Sequence, residues 1–236
     1  MITIHHLQRS QSERVLWLCE ELSLPYEVKY YKRDPLLSPP DLKALTPLGA
    51  APVIEDSTAT STSTSSSSSS PKLLLSESSA IVEYIIHRHG QGRLALPPTH
   101  PAYADYLYWF HMANATLQPA IMRAFTLRLL RLPADNPVKQ GADARFTKVL
   151  AMLNDRLARV PWLAGDEFTA ADIMSVFQLS TMRLFFPYSL TEYPGIVAWL
   201  DRVGKRPAYR AAMEKGDPGF EPLLGAEAPE PVPGLY

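Results

Sequence analysis

Every strand-like pattern in this chain falls within its first 76 residues, and only helical patterns follow. The strand-like segments are short runs of apolar, β-branched or alternating residues: Ile2–Leu7, Tyr26–Tyr30, Pro52–Ile54 and Leu73–Leu75. Apolar residues at helical spacing over Ser12–Leu22 separate the first two, which predicts a β-α-β unit with parallel strands. A second such period begins at Ala80 and stops near Gly90, where glycine can end a helix.

After a stretch rich in glycine and proline, the patterns are helical throughout. The predicted helices are Ala102–Leu132, Pro137–Val160, Thr169–Phe185, Pro194–Val203 and Pro207–Lys215. Strands followed by a run of helices predict two packed units. We therefore expect an α/β domain over residues 1–90, a linker at 91–100, an all-helical domain over 101–216 and an extended tail over 217–236.

Composition excludes several classes of protein. The formal net charge of -1 gives no reason to expect a nucleic-acid partner or an electrostatic membrane anchor. A single cysteine, Cys19, excludes an intramolecular disulfide framework and any multi-cysteine metal site. The start of the sequence lacks a signal-peptide pattern, and no apolar run reaches the roughly 18 residues of a membrane-spanning helix. We expect a soluble, cytoplasmic protein with no metal site.

Residues 57–70 consist only of serine, threonine and one alanine. Such a segment has too little to bury to offset the entropy of ordering, so we predict a disordered hairpin loop. A tolerated surface insertion explains it, because lengthening a loop costs little free energy. A phosphorylated regulatory arm is the alternative.

The turn before the first helix, Arg9–Ser12, allows two interpretations. A serine there can cap the helix by accepting a hydrogen bond from a backbone N–H. Alternatively, its hydroxyl and the free N–H groups favour an anion, and a thiolate bound there would have its pKa lowered. The spacing does not distinguish the two.

Three further segments carry similar alternatives. Proline cannot donate a hydrogen bond to a neighbouring strand, so Pro52 at the start of an apolar strand is typical of an edge strand or a turn. Alternatively, a cis bond after Ala51 would expose the backbone of Val53 to an extended ligand. Ser76–Ser79 reads as a helix cap, with Ser76 as the N-cap residue, or as a site for the carboxylate and ammonium of an α-amino acid head. Thr169 with Asp172 three residues later predicts a capping box, so we expect Asp172 to act in folding.

Taken together, these segments resemble the cytosolic glutathione transferase superfamily, in particular the fungal and bacterial subgroup that includes a yeast transferase. The segments that carry the resemblance are His5–Leu22, Tyr26–Asp34, Pro47–Ile54, Leu75–Ser78 and Leu163–Ile173. The resemblance implies a thioredoxin-like N-terminal domain that binds glutathione and an all-α C-terminal domain that holds an electrophile. It also implies a homodimer.

The resemblance assigns glutathione, as co-substrate, to six positions: Lys43, Ala51, Pro52, Val53, Glu77 and Ser78. It implies a cis Pro52, a backbone pairing of Val53 with the cysteinyl part, and contacts of Glu77 and Ser78 with the γ-glutamyl head. Arg33 falls in the region that, with Lys43, meets the glycyl carboxylate.

Ser10 occupies the loop where serine-type members keep the hydroxyl that donates to the sulfur. Ser12 remains an alternative, because the length of this loop varies. Cys19 instead lies on the apolar stripe of the first helix, so we expect an inert core thiol.

The electrophile pocket is assigned to the first helix of the second domain. Its candidates are Tyr106, Trp109, Phe110 and Arg123, although an aromatic stripe on a helix also suits interhelical core. The implied activity is conjugation of glutathione to hydrophobic electrophiles, in detoxification or secondary metabolism. The alternatives are a glutathione-dependent disulfide reductase or peroxidase, and a non-catalytic partner-binding protein of the same fold.

Overall fold

The computed structural model describes residues 1–60 and 72–230. The chain divides into two compact units, of which the first joins Met1–Arg93 to Pro207–Phe220 and the second joins Leu94–Arg206 to the chain from Glu221 onward. Each unit has its own buried core. In the described ranges, no helix is both long enough and apolar enough to cross a membrane.

The first unit contains a four-stranded sheet in the order β2-β1-β3-β4. The strands are β1 (Ile2–Leu7), β2 (Tyr26–Tyr31), β3 (Val53–Thr60) and β4 (Lys72–Ser76). Strand β1 pairs parallel with β2 and antiparallel with β3, which in turn pairs antiparallel with β4. With helices α1 (Glu13–Leu22), α2 (Pro40–Lys43) and α3 (Ser78–Arg88), this is the predicted thioredoxin-like arrangement.

Strand β3 is longer than predicted. Ser57–Thr60 belongs to it, so the first four residues of the predicted disordered insert are strand. Ser57 is held by the chain start, since its N–H donates to the Met1 carbonyl at 3.2 Å and its Oγ accepts from the N-terminal amine at 2.8 Å. The rest of that prediction, residues 61–70, lies outside the described residues.

Helix α9 (Pro207–Gly216) belongs to the first unit, although we expected it in the helical domain. It packs against α1, where the rings of Trp17 and Tyr209 meet edge to face with centroids 4.9 Å apart. Lys215 and Glu20 form an ion pair at 2.5 Å between the same helices. The amphipathic pattern of α9 predicts a helix correctly but cannot indicate which unit its apolar face covers.

The second unit is helical, as predicted, with two local differences. Its helices are α4 (Tyr103–Met112), α5 (Gln118–Leu129), α6 (Pro137–Leu157), α7 (Ala170–Leu179) and α8 (Pro194–Gly204). A π-helical turn at Ala113–Leu117 interrupts the single helix predicted there, and Pro119, which cannot donate a helical hydrogen bond, follows two residues later. The helix predicted to reach Phe185 ends at Leu179, and a short 3₁₀ turn follows.

Part of the predicted extended tail is anchored. Arg183 is fully buried and donates to the Gly225 carbonyl at 2.7 Å, while the Leu190 N–H donates to the Ala226 carbonyl at 2.7 Å. Burial lowers the pKa of Arg183. A buried guanidinium needs several acceptors, and these backbone carbonyls supply them.

The start of α7 has the predicted capping box. Thr169 is the N-cap residue, and Asp172 accepts from the Thr169 N–H at 3.0 Å. Asp172 also accepts from the Leu163 N–H at 3.0 Å and from the indole N–H of Trp199 at 2.9 Å. Burial raises the pKa of Asp172 to about 6, against the effect of these donors. Asp172 therefore fastens a loop and two helices inside the second unit.

Candidate functional site

The sheet brings three loops of the first unit to one edge. Strands β1 and β4 end at this edge and β3 begins there, because β3 runs antiparallel to both of its neighbours. The register pairs Val53 with His5 on one side and with Ser76 on the other. The loop after β1, the turn before β3 and the start of α3 consequently lie next to one another.

The turn before β3 contains a cis peptide bond between Ala51 and Pro52, as the resemblance implied. Val53 follows as the first residue of β3 and is fully buried. Gly49 has φ +61°, and a Cβ placed on it would lie 2.9 Å from Cγ of Lys43. Lys43 is exposed at the end of α2. The assignment of Lys43, Ala51, Pro52 and Val53 to a ligand stays a prediction.

Helix α3 begins without a side-chain cap. Its N-cap residue is Glu77, not the predicted Ser76, which ends β4. Glu77 has φ 76° and ψ 112°, values that are rare for a residue with a side chain. Backbone strain of this kind persists where the surrounding structure imposes it, and it clusters at ligand sites. No side chain thus caps the start of α3, and the side chain of Glu77 is exposed at this edge.

A buried arginine connects the starts of α1 and α3. The Arg14 guanidinium donates to Oε1 of Gln11 at 2.6 Å and to Oγ of Ser78 at 2.8 Å. Burial lowers the pKa of Arg14 to about 9. Sequence reasoning missed this role, although a charged residue in helical phase with the buried Trp17 and Leu18 was a detectable signal.

The loop after β1 contains a continuous chain of hydrogen bonds that we term the serine–histidine chain. Its members are Ser10, Ser12, His6 and Asp217. Oγ of Ser10 lies 2.7 Å from Oγ of Ser12, which lies 2.9 Å from Nδ1 of His6. Nε2 of His6 lies 3.2 Å from Oδ2 of Asp217, and that carboxylate also accepts from the Arg9 N–H at 3.0 Å.

The two serines hold different positions in this chain. Ser12 is fully buried and precedes α1, but its side chain does not cap the helix. Its oxygen instead accepts from the Leu7 N–H at 3.2 Å. Ser10 keeps 5% of its surface exposed. Of the two candidate serines, only Ser10 keeps any exposed surface.

Sequence reasoning missed His6 and Asp217. The sequence patterns give His6 no role of its own and place Asp217 in the extended tail. Their 211-residue separation gives no local signal, and the pair forms only because α9 packs against α1 and delivers Asp217 to the end of β1. Within the described ranges, no group of three or more His, Cys, Asp or Glu residues could hold a metal ion.

Arg33 does not suit the carboxylate contact that the resemblance implied. Its guanidinium donates to three backbone carbonyls, those of Gln8 and Arg9 at 2.9 Å each and that of Leu36 at 2.6 Å. Burial lowers the pKa of Arg33. Its side chain therefore holds the loop after β1 in shape.

Cys19 is fully buried, as expected, and burial raises the pKa of its thiol to about 12. A thiol with so little thiolate near neutral pH is a poor nucleophile. Cysteine chemistry at this position is therefore disfavoured.

The predicted electrophile contacts lie in the second unit. Tyr106, Trp109 and Phe110 are buried on α4, with the rings of Tyr106 and Phe110 5.7 Å apart. Arg123 is exposed on α5. The burial of the three aromatic residues fits the interhelical-core alternative, and their contact with an electrophile stays a prediction.

Known proteins match both units. Residues 9–88 match the family model of the glutathione S-transferase N-terminal domain, and residues 108–207 match that of the C-terminal domain. Glutathione S-transferase 3 of Schizosaccharomyces pombe is 30% identical over 91% of this chain and 88% of its own length. Glutathione S-transferase GstB of Escherichia coli is 31% identical over 90% of this chain and 98% of its own length.

A solved structure agrees with these sequence matches. The crystal structure of a glutathione S-transferase from Actinobacillus pleuropneumoniae has a TM-score of 0.77, is 29% identical and covers 93% of this chain and 95% of its own. Fungal and bacterial relatives thus cover nearly the whole chain, as the resemblance of its motifs implied. The chain belongs to the glutathione S-transferase family.

Proposed function

We propose that the protein is an active glutathione transferase that joins the glutathione sulfur to hydrophobic electrophiles. The observation that carries this proposal is the meeting of two helix starts without side-chain caps, those of α1 and α3, at one edge of the sheet. Glutathione is an extended peptide with an anionic sulfur in its reactive form and an α-amino acid head at one end. The start of α3 suits the head of such a ligand because no side chain caps it. The first N–H groups of α1 already donate to the Ser10 and Gln11 carbonyls, so α1 contributes its dipole and the Ser10 hydroxyl beside it.

The start of α3 takes the γ-glutamyl head in this proposal. The Ser78 hydroxyl and the first N–H groups of α3 bind the carboxylate, and the side chain of Glu77 binds the ammonium. Arg14 supports this contact, because it donates to Oγ of Ser78 and so holds that hydroxyl at the start of α3. The backbone of Val53 pairs with the cysteinyl part.

The start of α1 takes the sulfur. A thiol has a pKa of about 8.5 in water, and each unit by which a site lowers it corresponds to about 1.4 kcal/mol. One hydrogen bond from Ser10 to the thiolate, together with the helix dipole, supplies an effect of that size. The thiolate then attacks the electrophile and forms the carbon–sulfur bond.

The experiment combines binding with activity. Glutathione binding is measured by calorimetry, and conjugation is measured with a model aryl halide. We expect Ser78→Ala to weaken glutathione binding about tenfold, the effect of losing one hydrogen bond to a charged group. Ser79→Ala, at the next position of the same helix, is the matched control and should bind glutathione like the natural sequence.

Two results would contradict the proposal. A protein that does not bind glutathione would be the partner-binding alternative. A protein that binds glutathione but reduces a glutathionyl disulfide faster than it conjugates the aryl halide would be the glutathione-dependent reductase alternative. Within the same proposal, this protein forms a homodimer, as is usual in the family. It acts in the cytosol, in detoxification or secondary metabolism.

A further inference from the structure

We propose that the serine–histidine chain is a proton relay, in which His6 receives the proton of the glutathione thiol through Ser10 and Ser12. The inference rests on the proposed function, and it adds an internal base where release of the proton to solvent would otherwise suffice. It makes Ser10 the catalytic residue that touches the sulfur. Ser12, His6 and Asp217 are positioning residues that act through Ser10.

The direction of each hydrogen bond follows from the donors available. An ionised Asp217 can only accept, so Nε2 of a neutral His6 carries the ring proton and donates across the 3.2 Å contact. Nδ1 is then an acceptor, and the Ser12 hydroxyl must donate to it at 2.9 Å. The Ser12 oxygen consequently accepts the proton of Ser10 at 2.7 Å.

Ser10 is therefore poised to accept before it can donate. Its oxygen takes the Ser12 N–H at 3.3 Å, its own proton points to Ser12, and one lone pair remains. A glutathione thiol next to Ser10 can donate its S–H to that lone pair. A neutral chain with this polarity cannot donate to a thiolate until its hydroxyl groups reverse.

Transfer of one proton reverses them all. The S–H bond breaks and Ser10 gains that proton as it passes its own to Ser12, which passes its own to Nδ1 of His6. The electron pair of the broken bond stays on the sulfur, and no other reactant is needed. The products are a thiolate that accepts from Ser10 and an imidazolium whose charge the Asp217 carboxylate balances.

Burial distinguishes this relay from a hydrolytic serine. Ser12, His6 and Asp217 resemble a serine–histidine–aspartate triad in composition, but Ser12 and His6 have no exposed surface. A nucleophile must reach its substrate, so Ser12 cannot attack one. An interior chain that ends at the slightly exposed Ser10 is instead suited to moving a proton inward.

Groups from several elements of the first unit surround His6. Asp217 faces it from the end of α9, and from β2 the ring of Tyr30 lies 5.9 Å away. The side chain of Arg9 is turned to Phe220, with its guanidinium carbon 5.0 Å from that ring, and Arg33 is engaged with loop carbonyls. On α1, Glu13 follows Ser12 and is buried.

The decisive measurement counts protons when glutathione binds. Thiolate formation is followed by ultraviolet absorbance, and proton release by an indicator dye in weak buffer, at several pH values. If His6 keeps the proton, the natural sequence forms thiolate and releases far less than about one proton per thiolate wherever the ring starts neutral. S-methylglutathione, which has no thiol proton, is the control ligand.

Substitutions in the serine–histidine chain test whether the thiol proton passes along it. With His6→Gln or Asp217→Asn, we expect release of about one proton per thiolate formed, together with a smaller thiolate fraction near neutral pH. Nitrogen-15 spectra of the histidines should show the His6 ring doubly protonated when glutathione binds, and unchanged when S-methylglutathione binds. The measurements on the natural sequence decide the question even if the buried His6→Gln variant fails to fold.

Release of about one proton per thiolate by the natural sequence would overturn the relay and leave the proposed function standing. Binding of glutathione without any thiolate would also overturn it. Failure to bind glutathione would instead overturn the proposed function, and the relay with it.

Discussion

Helices α7 and α3 begin in opposite ways. At α7, Thr169 and Asp172 occupy the free N–H groups, and Asp172 in addition binds Leu163 and Trp199. At α3, the N-cap residue Glu77 has a positive φ and its side chain makes no capping hydrogen bond. The start of α7 is capped by its own side chains. The start of α3 has no side-chain cap, and its N-cap residue has a strained backbone conformation.

The same contrast separates two buried aspartates. Asp172 receives hydrogen bonds only from groups that hold the second unit together. Asp217 accepts from the Arg9 N–H and contacts His6, and hydrogen bonds connect His6 through Ser12 to Ser10. A buried carboxylate that only joins structural elements indicates a folding role, whereas one connected to a slightly exposed serine indicates a catalytic role.

The strongest test of this contrast is Asp172→Ala. It leaves three buried donors without an acceptor, so we expect the apparent free energy of unfolding to fall by about 3–5 kcal/mol. Urea denaturation measures the loss. Asp201→Ala, which removes an exposed ion pair from α8, should change it by less than about 1 kcal/mol.

Glutathione affinity of the folded Asp172→Ala protein should match that of the natural sequence. A tenfold loss of affinity without a loss of stability would mean that Asp172 serves the ligand and that the contrast is wrong.

Local patterns predicted most of the elements and one of the two helix starts. The capping box at Thr169 and the strand at Ile2–Leu7 appear in the structure as expected, because both depend on residues adjacent in sequence. The cis bond at Pro52 was expected from the resemblance, since an X–Pro bond judged from local sequence alone is far more often trans.

The rest depends on residues far apart in sequence. Asp217 joins the first loop only because α9 packs on α1, and no period within α9 indicates that choice. Arg14 reaches Ser78 across 64 residues. In the sequence the starts of α1 and α3 resemble ordinary serine caps, because composition alone does not show whether a hydroxyl faces the helix or another partner.

Arg14→Met tests whether the open start of α3 depends on its neighbour. Methionine keeps much of the buried apolar volume but cannot donate to Ser78 or Gln11. We expect glutathione binding to weaken about tenfold, or about 1.4 kcal/mol, when measured by calorimetry. Arg145→Met, at an exposed position of α6, is the control and should leave binding unchanged. Unchanged binding in the folded Arg14→Met protein would show that Ser78 is oriented without Arg14.

We expect the smallest effect from Gly216→Ala, which would place a methyl group against the His6 ring of the serine–histidine chain. A Cβ on Gly216 would lie 3.1 Å from Cε1 of His6 and 3.2 Å from its Nε2, so the ring must move by a few tenths of an ångström. That shift lengthens the contact with Asp217, and we expect the thiolate fraction of bound glutathione to fall about threefold. Alanine is favoured over glycine inside a helix by up to about 1 kcal/mol, but the same Cβ also lies 3.1 Å from Cδ2 of Leu16, and this crowding should cancel the gain in stability. Gly141→Ala on α6, where a Cβ meets nothing within 4 Å, is the control and should show the gain in stability alone.

If Gly216→Ala leaves the thiolate fraction unchanged, thiolate formation does not depend on the exact position of the His6 ring. Asp217 would then have a folding role, as Asp172 does.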